Sequence, residues 1–67
     1  MTFSTLTVRE LQALRHAALG DTAAQTARAN GTTADTVKEQ LRWVRIRLGA
    51  RNTAHAVAIG YQRGLLP

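Results

Sequence analysis

The chain has 67 residues, nine of them basic and four acidic, which gives a formal net charge of +5 at pH 7. A chain of this length forms one small domain, here residues 1–67, and leaves no room for a deep catalytic cleft. Cysteine is absent, and His16 and His55 are far apart in sequence, which argues against disulfides, thiolate metal sites and a local zinc motif. We therefore expect no enzyme activity, no catalytic residue, no metal and no cofactor.

The apolar runs are too short for a membrane span, and the N-terminus lacks the basic start and apolar core of a secretion signal. We therefore expect a cytoplasmic protein without a membrane partner. Eight of the nine basic residues are arginine, whose guanidinium suits phosphate and guanine. An excess of arginine and alanine is also typical of a GC-rich genome, so charge alone does not assign a partner.

A capping box opens the first predicted helix. The Thr7 hydroxyl and the Glu10 carboxylate are spaced to satisfy each other's free backbone donors, and Gly20 is a suitable C-cap. The helix is predicted from about Val8 to Leu19. Its apolar stripe comprises Leu11, Leu14, Ala18 and Leu19.

A second capping box, Thr22-Ala23-Ala24-Gln25, predicts a short helix that ends at Asn30-Gly31. Two helices that cross closely need a small residue at the contact, a turn residue tolerant of positive φ, and an apolar anchor in the second helix. Ala27, Gly31 and Val37 occupy these places. The spacing therefore indicates a helix-turn-helix.

The third predicted helix spans about residues 34–48, with Thr33 as its N-cap and Gly49 as its terminator. Its apolar residues share one face: Val37, Leu41, Val44 and Leu48. Lys38 and Arg45 lie beside that stripe. The opposite face carries Asp35, Glu39, Arg42 and Ile46, and it is the candidate surface for contact with a DNA major groove.

A fourth helix is predicted to begin after Asn52, which is a good N-cap, and to end near Gly64. Its apolar residues include Ala54, Val57, Ala58 and Tyr61. No segment shows the alternation of a strand. The sequence therefore predicts an all-α, four-helix domain.

Four blocks of sequence occur in order along almost the whole chain: Leu6-Thr7-x-Arg9-Glu10, Thr36-Val37-Lys38, Leu48-Gly49-Ala50-Arg51-Asn52, and Ala56-Val57 with Arg63-Gly64-Leu65-Leu66. Together they resemble the LuxR-type (GerE-like) helix-turn-helix DNA-binding domain of bacterial transcription regulators. The resemblance implies a DNA-binding protein active in transcription regulation. It also implies that the third helix enters the major groove and that the fourth pairs two protomers.

The resemblance further implies a role for individual residues. Base-edge contacts fall on Lys38, Glu39 and Arg42, of which Lys38 and Arg42 favour guanine and Glu39 accepts from cytosine N4. Phosphate contacts fall on Thr33, Thr36, Arg45 and Arg51, in keeping with the affinity of a helix N-terminus and of arginine for phosphate. The homodimer face comprises Ala54, Ala58 and Gln62, although these small residues are equally compatible with packing inside one protomer.

The chain also departs from the family pattern. Thr26, Asn30 and Thr32 stand where larger apolar residues are usual, and Ala23-Ala24 replaces an Asn-Lys pair. We therefore expect reduced stability or weaker DNA affinity unless a partner covers the second helix. Five residues before the domain leave no space for a sensing module, so we expect a stand-alone regulator controlled by abundance, DNA sequence or another protein.

Trp43 and Ile46 leave several interpretations open. Trp43 packs against the second or fourth helix, contacts DNA or docks a protein, and the sequence does not distinguish these roles. The alternative function is accordingly a protein-interaction module that binds a sigma factor, RNA polymerase or another regulator. The sequence assigns neither the operator and the regulated genes nor the choice between activation and repression.

Overall fold

The computed structural model describes residues 6–67, which form four α-helices and contain no strand. The predicted all-α, four-helix class is thereby confirmed. None of the helices in this range is both long and apolar enough to cross a membrane. The helices are α1 (Val8–Ala18), α2 (Ala23–Asn30), α3 (Ala34–Leu48) and α4 (Thr53–Gln62).

Each helix begins at the N-cap that the sequence predicts. Both capping boxes form, since the Thr7 and Thr22 side chains accept from the backbone three residues on and receive the reciprocal bond. Thr33 accepts from Thr36 N at 3.2 Å and Asn52 accepts from His55 N at 2.8 Å. These bonds satisfy backbone donors that no helical carbonyl reaches, so local sequence sets where the helices begin.

The end of α1 differs by one residue from the prediction. The helix ends at Ala18, and Leu19 is its C-cap and is 77% exposed. Gly20 has φ of +88°, and Asp21 N donates to His16 O at 3.0 Å, so a left-handed residue turns the chain away here. Leu19 itself keeps a helical backbone, with φ of −81° and ψ of −5°. As the residue after Ala18 it lies about 100° further round the helix, which places it outside the apolar stripe to which the sequence assigned it.

The first core cluster joins α1, α2 and the first half of α3. It consists of Ala13, Ala27 and Val37, all buried. Gly31 has φ of +67°, the left-handed conformation predicted for the turn. The three residues that indicated the helix-turn-helix therefore have the burial and backbone geometry that the prediction required.

The second core cluster joins α1, the second half of α3, α4 and the C-terminal tail: Leu14, Val44, Leu48, Ala56, Ile59 and Leu66. Ala13 and Leu14, which are adjacent in α1, each belong to a different cluster. One face of α3 is likewise buried along its length, since Val37 packs in the first cluster and Val44 in the second. The core therefore fixes α3 at both ends and leaves its opposite face exposed.

The buried face of α4 is not the one suggested by its apolar pattern. Ala56, Ile59 and Gly60 are buried, whereas Ala54 and Tyr61 are exposed. The helix carries apolar residues on nearly every side, so periodicity does not select a face. Contact with α1 and α3 makes that selection.

The polar residues of α2 are accommodated in different ways. Thr26 is 2% exposed, and its hydroxyl donates to the Thr22 carbonyl at 2.9 Å, so burial does not cost it a hydrogen bond. Asn30 accepts from Arg9 Nη1 at 3.3 Å through its carbonyl, but its buried Nδ2 has no partner among the described residues. The loss of stability expected from polar residues in α2 therefore arises from Asn30 and not from Thr26.

Candidate functional site

The exposed face of α3 carries all three residues predicted to contact base edges. Lys38, Glu39 and Arg42 are exposed, and they lie within little more than one helical turn of one another. Lys38 forms no ion pair within residues 6–67. The structure thus brings the predicted base-contacting residues together on one accessible surface.

Glu39 is bound to two neighbours on the same helix. Its Oε2 atom accepts from Arg42 Nη1 at 3.2 Å and from Trp43 Nε1 at 3.1 Å. These partners lie three and four residues away, the spacing at which side chains on a helix meet, so a signal for this contact was present in the sequence although it was not among the predictions. In the free protein this carboxylate oxygen is already engaged.

Trp43 lies outside both core clusters and is 40% exposed. Its ring is flanked by two guanidinium groups, with Arg42 Cζ at 5.4 Å and Arg47 Cζ at 5.6 Å from the ring centroid. Both distances are within the range of cation–π attraction. The indole is therefore part of a charged cluster on the surface of α3.

Arg47 connects this surface to the buried side of α1. Its Nε lies 3.2 Å from Glu10 Oε1 in an ion pair, and the Glu10 side chain is only 8% exposed. The same carboxylate oxygen accepts from Thr7 N at 3.0 Å in the capping box. The sequence predicted Glu10 as a cap but not its contact with Arg47, because nothing in local spacing shows that residues 10 and 47 meet.

We use the name indole cluster for Glu39, Arg42, Trp43 and Arg47. Glu10 anchors this cluster through Arg47, and Ile46, which is 54% exposed, lies on the same side of α3. Two interactions hold Arg42, namely the Glu39 carboxylate and the face of the indole ring. The cluster is thus a continuous series of polar and cation–π contacts from the cap of α1 to the exposed face of α3.

The residues predicted to contact phosphates divide between the two ends of α3. Thr33 and Thr36 are exposed at its N-terminus, where the Thr33 hydroxyl donates to the Thr36 hydroxyl at 3.0 Å. Arg45 lies near the other end and donates through Nη1 to Thr53 Oγ1 at 3.2 Å. At about 1.5 Å per residue, Thr36 and Arg45 are separated by about 13 Å along the helix axis.

Arg51 is exposed in the segment between α3 and α4. Its backbone N–H donates to His55 Nδ1 at 3.0 Å, while His55 N donates to the Asn52 side chain. Because Nδ1 accepts here, the neutral imidazole carries its proton on Nε2. His55 therefore stabilises the backbone that holds Arg51, a function that the sequence did not predict for it.

Three of the four carboxylates have a partner. Glu10 forms an ion pair with Arg47 and Glu39 with Arg42, while Asp21 Oδ2 is hydrogen-bonded to His16 Nδ1 at 2.8 Å. Asp35, in the first turn of α3, has no ion-pair or hydrogen-bond partner within the described residues. The other basic residues face no carboxylate in this part of the chain, so the surface keeps a positive excess.

The small residues predicted to pair protomers are on the surface. Ala54, Ala58 and Gln62 are exposed along α4, and Tyr61 between them is 53% exposed. Packing within one protomer does not cover this face, which was the alternative that the sequence left open.

A cavity of about 290 Å³ lies between the end of α1 and the C-terminal tail, lined by Arg15, Ala18, Leu19, Tyr61, Leu66 and Pro67. Its walls are largely apolar. Within residues 6–67 no group of three or more histidine, aspartate or glutamate side chains is placed to hold a metal ion.

No protein-family model matches the chain, and no curated protein matches it in a sequence comparison. The resemblance to LuxR-type domains therefore rests on the four sequence blocks alone.

Proposed function

We propose that this protein is a sequence-specific DNA-binding transcription regulator of the LuxR type, with α3 inserted in the major groove. The observation that carries the proposal is the exposed face of α3, where Lys38 and Arg42 project one turn apart, opposite a face that the core fixes at both ends. An α-helix fits the major groove of B-DNA, where each base pair presents a distinct pattern of donors and acceptors.

Lys38 and Arg42 supply the donors for guanine O6 and N7 in this proposal. The phosphate contacts come from Thr33 and Thr36 at one end of α3 and from Arg45 and Arg51 at the other. The separation of about 13 Å between Thr36 and Arg45 is close to the width of the major groove, about 12 Å. The two residues are therefore spaced to contact the two sugar–phosphate backbones that border the groove. Such contacts fix the orientation of the helix, and the base contacts select the sequence.

The exposed face of α4, with Ala54, Ala58 and Gln62, supports pairing of two protomers on a two-fold DNA site. Small side chains allow two helices to approach closely, and a symmetric dimer matches a palindromic operator. A homodimer bound to double-stranded DNA, in the cytoplasm, is accordingly part of the proposal.

The test is selection of bound DNA from a random pool, followed by affinity measurements on the selected site as a function of salt. We expect a two-fold sequence motif, with a logarithmic salt slope of about 0.9 per phosphate contact. Arg42→Glu is expected to abolish selective binding while the helical circular dichroism is unchanged, because the exposed side chain contributes nothing to the core. Selective binding that survives in Arg42→Glu would contradict the proposal.

Arg15→Glu is the matched control, because it makes the same change of net charge at an exposed position on α1. It is expected to weaken binding to all sequences by a similar factor and to leave the preference for the selected site intact. Equal loss of preference in both variants would show that net charge, and not the face of α3, governs binding.

A second candidate function is supported by the exposure of Trp43 and Ile46. It is a protein-interaction module that binds a sigma factor, RNA polymerase or another regulator. Binding of the purified chain to RNA polymerase holoenzyme, compared with the Trp43→Ala variant, tests it. Polymerase binding that is lost in Trp43→Ala, together with DNA binding that shows no sequence preference, would favour this second function.

A further inference from the structure

We propose that Glu39 is a positioning residue that holds Arg42 for base recognition, and that it does not itself contact a base. The inference rests on the proposed DNA-binding function and concerns how that function achieves selectivity. It replaces the cytosine contact that the sequence resemblance implies for Glu39.

The geometry of the indole cluster carries the inference. Both donors to Glu39, Arg42 Nη1 and Trp43 Nε1, bind the same Oε2 atom, at 3.2 and 3.1 Å. The Trp43 ring in turn is within cation–π distance of both Arg42 and Arg47, and Arg47 forms an ion pair with the buried Glu10 carboxylate. Arg42 is therefore connected through Trp43 and Arg47 to a carboxylate that is almost fully buried.

An isolated ion pair between two exposed side chains contributes little to stability, and the side chains of Glu39 and Arg42 are 58% and 55% exposed. The contact between Glu39 and Arg42 contributes to DNA affinity in a different way. A free arginine loses side-chain entropy when a ligand immobilises it, and a side chain that is already held loses less. A carboxylate that holds Arg42 therefore lowers the cost of a bidentate guanine contact.

As a positioning residue, Glu39 raises affinity for the selected DNA site, whereas its negative charge alone would lower it. A negative charge on a surface that faces DNA repels phosphate, so removal of an acidic residue ordinarily strengthens binding. If Glu39 holds Arg42, its removal instead weakens binding to the selected site. The sign of the change thus separates a positioning role from a purely electrostatic one.

Asp35 provides the matched control. It lies on the same face of α3, one turn from Glu39, is exposed, and has no hydrogen-bond or ion-pair partner among the described residues. Asp35→Ala and Glu39→Ala therefore remove the same charge from the same surface, and only the second breaks contacts with Arg42 and Trp43.

The experiment measures the affinity of wild type, Glu39→Ala and Asp35→Ala for the selected site and for an unrelated duplex. Glu39→Ala is expected to lose affinity for the selected site by about three- to ten-fold, the effect of one side chain that must now be ordered on binding. It should bind the unrelated duplex as tightly as wild type or more tightly. Asp35→Ala should bind both duplexes more tightly, so that its ratio of affinities stays close to that of wild type.

Base preference separates positioning from direct contact. We expect Glu39→Ala to relax the preference at the same base pair as Arg42→Ala, and the double variant to lose no more than Arg42→Ala alone. Relaxation at a different base pair, with effects that add, would overturn the inference in favour of a direct contact by Glu39. Unchanged or stronger selective binding by Glu39→Ala would also overturn it.

A measurement without DNA tests the geometry itself. Trp43 is the single tryptophan of the chain, so its indole Nε1–H gives one resonance in a proton–nitrogen NMR spectrum. Glu39→Ala should shift that resonance and Asp35→Ala should leave it in place. A resonance that is insensitive to Glu39→Ala would overturn the inference. Absence of selective DNA binding by the wild type would instead overturn the proposed function, and the NMR shift caused by Glu39→Ala would be unaffected.

Discussion

At the scale of single residues, Glu10 shows how one buried carboxylate serves two elements. Its Oε1 atom accepts from Thr7 N, which completes the cap of α1, and forms an ion pair with Arg47 Nε, which joins α1 to α3. The Glu10 side chain is 8% exposed. Removal of its carboxylate therefore leaves the Thr7 N–H and the Arg47 guanidinium without this partner. Glu10 therefore links the start of the first helix to the orientation of the third.

Glu10→Ala should lower the free energy of unfolding by about 1–3 kcal/mol, because it removes a cap acceptor and leaves Arg47 without its carboxylate. Glu10→Gln should cost markedly less, because glutamine also completes a capping box. Urea denaturation followed by circular dichroism gives both values. A Glu10→Ala protein as stable as the wild type would contradict this double role of the carboxylate.

At the scale of elements, α2 shows that a polar residue in a buried position is compatible with a well-packed contact. Thr26 is buried next to Ala27, the residue that packs against α1 and α3, and its hydroxyl donates to the Thr22 carbonyl. The same carbonyl also accepts from Thr26 N at 2.9 Å. The hydroxyl therefore adds a second bond to an acceptor that is already satisfied.

Thr26→Val should change the free energy of unfolding by less than about 1 kcal/mol, because it keeps the shape of the side chain and leaves the Thr22 carbonyl with a donor. Thr22→Ala is the contrasting variant, and it should cost about 1 kcal/mol through loss of the N-cap of α2. Both values come from urea denaturation. A much larger loss in Thr26→Val than in Thr22→Ala would show that the hydroxyl is required for packing.

At the scale of the whole molecule, the C-terminal tail closes the second core cluster. Leu66 is 5% exposed, and Leu65 N and Leu66 N both donate to Gly60 O, at 2.8 and 3.2 Å. A Cβ at position 60 would lie 2.9 Å from Leu66 Cδ1 and 3.2 Å from Leu14 Cδ2. A side chain at position 60 would therefore require Leu66 to shift from its buried position.

Gly60→Ala should destabilise the protein by about 1 kcal/mol, because overpacking against two buried leucines outweighs the better helix propensity of alanine. In a Leu66→Ala background the same change should be neutral or stabilising, since the nearest obstacle is gone. Thermal unfolding of the four proteins measures this coupling. Equal effects of Gly60→Ala in both backgrounds would show that the close approach of Leu66 is not the cause.

The helices and their starts were predictable because their determinants are local. Thr7, Thr22, Thr33 and Asn52 each bond to a backbone group three residues away, and the predicted turn at Gly31 depends on its own φ. The apolar stripe of α3 was also predictable, since one face of that helix is clearly more apolar than the other. The exposed positions of Lys38, Glu39 and Arg42 follow directly from that stripe.

The sequence by itself therefore determined four helices, their N-caps, and the face of α3 that is available for contact. Only the tertiary structure decided that Arg47 meets Glu10, that Leu19 and Tyr61 are exposed, and that the tail packs on Gly60. Helix caps and periodicity act within about one turn of chain, where spacing alone fixes the geometry. Contacts between residues distant in sequence depend on how helices pack against one another, and an almost uniformly apolar helix such as α4 gives no local signal to determine that choice.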